Sequence, residues 1–403
     1  MVQGHITESI VTPVKDKAEV IIAGGGVAGI AAALAAARNG ADVLLIENQF
    51  SLGGLATLGL VTIYLPICDG EGHQVIYGIG EELLRLSVKR SHEWRYPECW
   101  FDGGADEEKT QKRFEAGFNH IYFSIDAEQL LLREGVRILY GTKICASRVE
   151  NGRVTALIVE NKSGRYAIEC GCVVDATGDA DVAHYSGAKT AIYEPGNSIA
   201  AWYYFSKEGK RDLVMLSERY IGAPIHDGNP YHTRLSGLDG QELSDATVIS
   251  HDYLLTHILE HQKEASDYMP ITMASIPQVR MTRRIVGKTT LDRCEDGERI
   301  YVEDSVGVTG NWRQRGPIYE IPFGAICSVN VKNLLAAGRD ISVTDDMWDI
   351  TRVIPVCAVT GEAAGVCAAM LREYDYDTAN VDVTALQEKI RTGGVKLHID
   401  EIL

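Results

Sequence analysis

The amino-acid sequence predicts an α/β fold, with a Rossmann-like lobe on a parallel sheet and a second, α+β lobe inserted into it. Three observations predict it. Residues 19–34, EVIIAGGGVAGIAAAL, read as a short buried strand, a glycine turn and the start of an alanine-rich helix. Residues 42–46, DVLLI, read as a second buried strand that ends at Glu47. Between about 186 and 320 this rhythm is lost, and it returns over 331–370 as a strand, another glycine turn and a helix of small residues. The expected lobes are therefore 1–185 and 321–403 for the α/β part and 186–320 for the insertion.

The first glycines fall at G-x-G-x-x-G, as Gly24, Gly26 and Gly29. Gly24 permits the tight turn, Gly26 lets a pyrophosphate approach the backbone, and Gly29 lets helix and strand pack closely. The helix N-terminus turns unpaired N–H groups and a partial positive charge toward that pyrophosphate. Glu47 arrives about 20 residues on, where a carboxylate holds a ribose hydroxyl. Asn39-Gly40 is placed to close the helix. The same glycines occur in ordinary turns, but here a strand, a helix, a cap and an acid all stand in the required places. The sequence is that of a dinucleotide-binding unit.

Composition narrows the partners. The chain has 403 residues and a formal net charge of −17, which argues against nucleic acid and anionic membranes, since both need basic surface. No apolar run approaches the roughly 20 residues that span a bilayer. Residues 1–17 are polar and lack the apolar core of a signal peptide, so a cytoplasmic setting is expected. Nine cysteines, an odd number scattered through a long chain, suit reduced thiols rather than a disulfide framework. The oligomeric state stays open, and a homo-oligomer is compatible with the sequence.

After Glu47 comes Ser51-Leu52-Gly53-Gly54-Leu55-Ala56-Thr57-Leu58-Gly59-Leu60, an apolar glycine-rich loop whose backbone N–H groups can crowd a cofactor. Residues 80–89 read as a helix. The aromatic stretch 91–123 suits either a cap over the active site or an insertion packed into the core. Asp126 is placed as N-cap of a helix over 127–134, and 136–140 as the third parallel strand. Strand character recurs at 144–149, 153–160 and 165–170, with the hairpin signal Asn151-Gly152 between the first two. A further parallel strand, 172–175, ends in Ala176-Thr177-Gly178. The insertion carries a Gly- and Pro-rich stretch from Ile221 to Gly240 and a helix near 244–265.

The glycine turn with Glu47 and the Gly53-Gly54-Leu55-Ala56-Thr57 loop resembles the FAD-binding lobe of the glutathione-reductase-type flavoproteins. The subgroup it resembles is the FAD-dependent oxidoreductases related to the fumarate reductase and succinate dehydrogenase flavoprotein subunits. The strands at 144–170 resemble that family's three-stranded antiparallel crossover, and Ala176-Thr177-Gly178 its second FAD motif. Gly338-Arg339-Asp340 resembles its last, in which the acid holds the ribityl chain. The helix over 357–370 resembles the one whose N-terminus faces the flavin pyrimidine ring. The resemblance implies non-covalent FAD, with contacts at Gly24, Gly26, Val27, Ala28, Gly29, Glu47 and Asn48. It extends them to Gly53, Gly54, Leu55, Ala56, Thr57, Ile144, Ala176, Thr177 and Gly178, and to Gly338, Arg339, Asp340, Arg352, Val353 and Val356.

The chemistry is then that of a flavin. A dithiol reductase of this fold needs a cysteine pair after the Gly-Gly loop, where Ala56, Thr57 and Leu58 stand. Covalent attachment needs a histidine there, and His73 is the nearest. The expected activity is hydride exchange between flavin N5 and a small polar metabolite, a carboxylate or a polyol. NAD(P)H or a partner protein could feed the flavin, and a non-catalytic binding protein on the same fold is the further alternative. Arg280, Arg283, Arg284, Arg313, Arg315, Arg339 and Arg352 gather in the second half, and arginine binds carboxylates bidentately. Pairing with Asp292, Glu295 or Asp296 is their ordinary use. Arg284 and Arg352 are the catalytic candidates, with His73 and Tyr319 among the residues placed to move a proton. Cys357, at a helix start, would have a lowered pKa or simply fill a tight site. His257 and His261 have metal-ligand spacing but no third ligand, so a solvated helix face is expected and no metal site.

Overall fold

The computed structural model describes residues 4–216, 234–294 and 298–403. Strand β1 (Val14–Ala23), helix α1 (Val27–Arg38) and strand β2 (Val43–Ile46) form the opening unit. β1 starts before the apolar run because its polar lead-in pairs with residues 167–170 of a neighbouring strand. Asn39 closes α1 by donating from its side-chain amide to the Ala35 carbonyl, and Gly40 follows in the left-handed region at φ +86°.

Helix α2 (Gly78–Val88) and helix α3 (His120–Arg133) pack beside α1. α3 begins earlier than the sequence suggests. Asn119 is its cap, accepting from the Ile121 and Tyr122 N–H groups, while Asp126 lies buried in mid-helix against Arg90 at 2.7 Å. The aromatic stretch before α3 takes the packing alternative: Phe114, Phe118 and Phe123 are fully buried in the main core, and none of its rings lines a cavity described below.

Strand β3 (Arg137–Leu139) joins β2 in parallel. Strands β4 (Lys143–Glu150) and β5 (Arg153–Asn161) form the expected hairpin, with positive φ at Asn151 (52°) and Gly152 (76°). The two strands expected at 165–170 and 172–175 are one, β6 (Gly164–Asp175). Gly171 is no break: the Tyr376 ring lies 2.4 Å from where its Cβ would stand. β6 runs parallel to β1 along most of its length. On its other edge the first half pairs antiparallel with β5 and the second half parallel with Leu334–Ala336. The result is a seven-stranded sheet in the order β3-β2-β1-β6-β5-β4, with Leu334–Ala336 beside β6. Its parallel strands end together, which is where an open α/β sheet holds a ligand.

Residues 201–273 carry a second sheet and a separate apolar cluster. Strands β7 (Ala201–Lys207) and β8 (Lys210–Leu216) form a hairpin. Helix α4 (Gly240–Glu264) is capped by Asp239 and packs on that sheet, and strand β9 (Met269–Met273) completes it beside β7. Tyr203, Tyr253, Leu254 and Tyr268 form the apolar contact. Residues 221–233 of the Gly- and Pro-rich stretch lie outside the described residues. His257 and His261 do not form a solvated face. Their rings stack at 4.1 Å, and His257 Nδ1 shares a hydrogen bond of 2.8 Å with the Tyr203 hydroxyl. The main core takes in Met281, Ile285, Leu291, Val306 and Val308.

Helix α5 (Ile354–Met370) crosses α1 at backbone contact. A Cβ on Gly361 would lie 2.3 Å from the Ala28 carbonyl oxygen, and one on Gly365 2.2 Å from that of Ala32. This is why both helices are built of small residues. With the turn after it, α5 is the helix among the described residues that is long and apolar enough to cross a membrane. It is 94% buried within the fold, as a core helix is. Gly365→Ala gains about 1 kcal/mol of helix propensity but drives a methyl into a neighbouring backbone. Overpacking costs typically ~1–3 kcal/mol, and a backbone cannot yield as a side chain can. Net destabilisation of about 1–2 kcal/mol is expected in urea unfolding, with Gly240→Ala, which meets nothing within 4 Å, as the control that should be neutral to about 1 kcal/mol more stable.

Glu362 is the charged group in this apolar helix. It accepts the Ile79 N–H at 2.8 Å, near the start of α2. Burial pushes its pKa up to about 8, and the Ile79 N–H only partly opposes this. A carboxyl so raised is held protonated in the folded state, so its contribution is complete below the unfolded value of about 4.5 and is lost as pH rises through about 8. Glu362→Gln should match the wild type in thermal unfolding near pH 4.5. It should exceed the wild type by on the order of 2–4 kcal/mol at pH 9. Parallel stability curves across that range would refute the assignment.

Candidate functional site

A cavity of about 460 Å³ opens at the carboxyl ends of β1, β2, β6 and Leu334–Ala336. Three glycines build the turn beneath it, each for a different reason. Gly24 turns at φ +100°, with the Ala176 carbonyl oxygen 2.5 Å from where a Cβ would be. Gly29 brings α1 so close that a Cβ would stand 1.8 Å from the Gly24 oxygen. At Gly26 a Cβ would meet nothing within 4 Å. Neither backbone angle nor packing requires glycine there, so the open space is what its small size keeps. Gly26 also stands at the N-cap of α1, where no side chain caps the first N–H groups.

The second glycine loop lies against the first. Gly53 N–H donates to the Gly25 carbonyl at 2.8 Å, and both Gly53 and Gly54 have positive φ. Thr57 does not line the cavity. Its hydroxyl donates to the Leu52 carbonyl at 2.6 Å and pins the loop from beneath. Glu47 borders the cavity and accepts from the N–H groups of Gly25 at 2.7 Å and Gln49 at 2.6 Å. Burial raises its pKa, and those N–H groups oppose the rise. Val27, Ala28, Asn48 and Ile144 also line the wall.

On the far side stand Ala176, Thr177 and Gly178, then Gly338, Arg339 and Arg352. Gly178 has no side chain because the Arg339 guanidinium lies 2.0 Å from where one would begin. Asp340 is fully buried and does not line the cavity. Its carboxylate accepts from the N–H groups of Gly178 at 2.9 Å and Ala180 at 3.1 Å, bracing the turn that does. Burial, then the neighbouring Asp175, raises its pKa. Val356 is buried away from the cavity, as is Gly29.

These features match the family described as FAD dependent oxidoreductase over residues 19–201 and 205–390. The chain belongs to that family. A digeranylgeranylglycerophospholipid reductase of Methanocella arvoryzae is 22% identical over 94% of this chain and 96% of its own length. A thioredoxin reductase of Ureaplasma parvum is 28% identical over 38% of this chain, which spans 42% of that protein. A solved geranylgeranyl bacteriochlorophyll reductase-like protein of Thermoplasma acidophilum covers 94% of this chain and 84% of its own, at 14% identity and a TM-score of 0.45.

The protein is a flavin-dependent oxidoreductase that binds FAD. The large cavity fits that cofactor: the space over Gly26 and the uncapped start of α1 suit the pyrophosphate, and Glu47 suits a ribose. Cys357 lines the same cavity at the start of α5. Its thiol is not activated: burial pushes its pKa up to about 12, outweighing the Arg339 and Arg352 charges. It fills a tight site.

A second cavity, of about 130 Å³, adjoins the first. The two share Leu55, Ala56, Arg339, Arg352 and Ile354. The rest of the small cavity comes from Val61, Ile63 and Leu65, from Trp202 and Met215 on the inserted sheet, and from Arg280, Trp312 and Val353. Of the four catalytic candidates, only Arg352 is there. Arg284 sits on Arg283–Ile285, an edge strand paired with Thr190–Ile192, and its guanidinium lies 5.5 Å from the centre of the Trp348 ring. His73 is half-exposed and shares a hydrogen bond of 2.7 Å with Asp69. Tyr319 is buried in the strand Ile318–Pro322. None of the three lines either cavity. The residue the sequence named but did not single out is Arg280, four positions before Arg284.

Proposed function

We propose that the enzyme exchanges a hydride between non-covalently held FAD in the large cavity and a small metabolite held in the adjoining one. The observation that carries this is the shared wall, which brings the two occupants edge to edge at Leu55, Ala56, Arg339 and Arg352. Bound there, FAD supplies a two-electron acceptor or donor. The chain does the rest. Arg339 and Arg352 orient a polar group at the junction, and Trp202, Trp312 and the aliphatic wall keep water from the reacting bond. The start of α5, at Val353 and Ile354, borders the second cavity, and the positive end of its dipole favours a developing negative charge there.

Kinship with the fumarate reductase and succinate dehydrogenase flavoproteins is part of this reading, supported by the order of the four glycine motifs. The other half-reaction falls to NAD(P)H or an electron-transfer protein, and a cytoplasmic setting suits it. Anaerobic titration of the purified yellow protein with NADH, NADPH, hydroxy acids, amino acids and polyols tests the reading. Bleaching by one donor and recovery with an acceptor is expected, with the flavin released on acid precipitation. A flavin that no two-electron donor reduces would count against it.

A further inference from the structure

We infer that residues 275–282 are a strap closed over FAD, and that release of its fastenings at Gln278 and Thr282 sets the rate at which the cofactor leaves and enters. This rests on FAD lying in the large cavity. Ile276, Pro277 and Val279 of the segment line that cavity. Between β9 and the strand Arg283–Ile285 the chain forms neither helix nor strand, so its backbone is committed to no sheet. At one end the Ser275 N–H donates to the Leu58 carbonyl at 2.8 Å, on the wall built by the second glycine loop. At the other end the Thr282 hydroxyl donates to the Asp179 carboxylate at 2.7 Å, on the wall that carries Ala176, Thr177 and Gly178. A segment tied to both walls, with side chains facing the space between them, bridges that space.

The bridge is fastened point by point. Gln278 is buried, and its side-chain amide donates to the Gly59 carbonyl at 2.5 Å. The Val279 carbonyl accepts from Arg339 Nη1, part of the guanidinium that stands over Gly178. Asn197 clips the next two residues, its side-chain carbonyl accepting the Arg280 and Met281 N–H groups at 3.0 and 2.9 Å. Beyond Thr282 the chain is anchored, because Arg283 pairs with Asp181 at 2.7 Å and enters a paired strand. Both ends are thus held in strands, while the stretch between them hangs on separate bonds. Such a stretch opens far more readily than the fold as a whole, and a ligand the length of FAD, laid beneath it, leaves when it lifts. The same segment carries Arg280 to the wall of the second cavity, so its opening parts both cavities together.

The test is the exchange of bound FAD in the purified holoenzyme. Chase with excess radiolabelled FAD gives the release rate, and equilibrium dialysis gives Kd. The double variant Gln278→Met with Thr282→Val removes both side-chain fastenings and keeps their apolar bulk. It should release FAD about 10- to 100-fold faster. Its Kd should stay within about threefold of the wild type, because a weaker latch speeds entry and exit alike. Each single substitution should give part of the rise. Gly365→Ala, which loosens the fold at a helix crossing instead, should leave the release rate as it is. An unchanged release rate in the double variant would overturn the inference. So would a Kd that rises in step with release, which marks an ordinary contact, or an equal acceleration in Gly365→Ala. Should the double variant not fold, Thr282→Val alone decides, by release about threefold faster or more at unchanged Kd. Flavin lost from Gly26→Val, beside unchanged release in the double variant, would keep FAD in the large cavity and sink the strap. A yellow Gly26→Val protein would remove the seat of the cofactor, and the strap with it.

Discussion

Gly26→Val yields a folded protein without flavin. The backbone at Gly26 has φ −67° and ψ 178°, which valine adopts readily. A Cβ there meets nothing within 4 Å, so the fold is expected to tolerate the change. The side chain instead fills the space above the start of α1, where the pyrophosphate comes closest to the backbone. A loss of at least 100-fold in FAD affinity, about 3 kcal/mol, is expected. The ratio of flavin to protein absorbance after incubation with excess FAD measures it, with circular dichroism to confirm the fold. Gly29→Val separates the two roles. Its Cβ would stand 1.8 Å from the Gly24 oxygen, so that variant fails by misfolding. A yellow, active Gly26→Val protein would remove the pyrophosphate from this turn.

The contrast shows what the sequence makes legible. The opening unit is local: strand, turn, helix, cap and acid follow one another within 30 or so residues, and their spacing alone carries the physics. The same holds for the Asn151-Gly152 hairpin, where the turn residues themselves demand positive φ. Legibility fails where a distant partner decides. Gly171 reads as a break, yet it is the seat of the Tyr376 ring from some 200 residues on. Asp126 reads as a cap, but Asn119 reaches two N–H groups first and leaves Asp126 to Arg90. Cys357 has the helix start that lowers a thiol pKa, and burial reverses the sign.

The arginines show the same limit. Within the run 280–284 the sequence favours Arg284, yet nothing local tells which guanidinium faces the cavity. Pairing of Arg283–Ile285 with Thr190–Ile192 sends Arg283 to Asp181 at 2.7 Å and Arg284 to Trp348. Arg280, before that strand begins, is left to the cavity. A cue existed in the sequence: an arginine outside the strand is not committed to its register. Choosing it required knowing that Trp202 and Met215, from the inserted sheet, close the opposite wall.

Arg352→Met is the substitution with the largest expected effect on turnover. Arg352 lines both cavities, so in the proposed function its charge lies where the reacting bond of the substrate would meet the flavin. Methionine keeps an apolar stem in the wall and removes only the donors and the charge. Asp349 is not stranded by the loss, because Arg313 remains at 3.4 Å, and the stability cost should stay near 1–2 kcal/mol. Catalysis should suffer far more, since a fixed donor at the site of developing charge is worth 10²–10³ in rate. A fall in kcat/KM of about 10³ with no more than a severalfold drop in flavin content is expected. Arg352→Lys should recover part of kcat and little of KM, because a point charge cannot make the paired contact of a fork. Equal loss of flavin and activity in Arg352→Met would instead make Arg352 a cofactor residue, and leave the substrate head to Arg280 and Arg339.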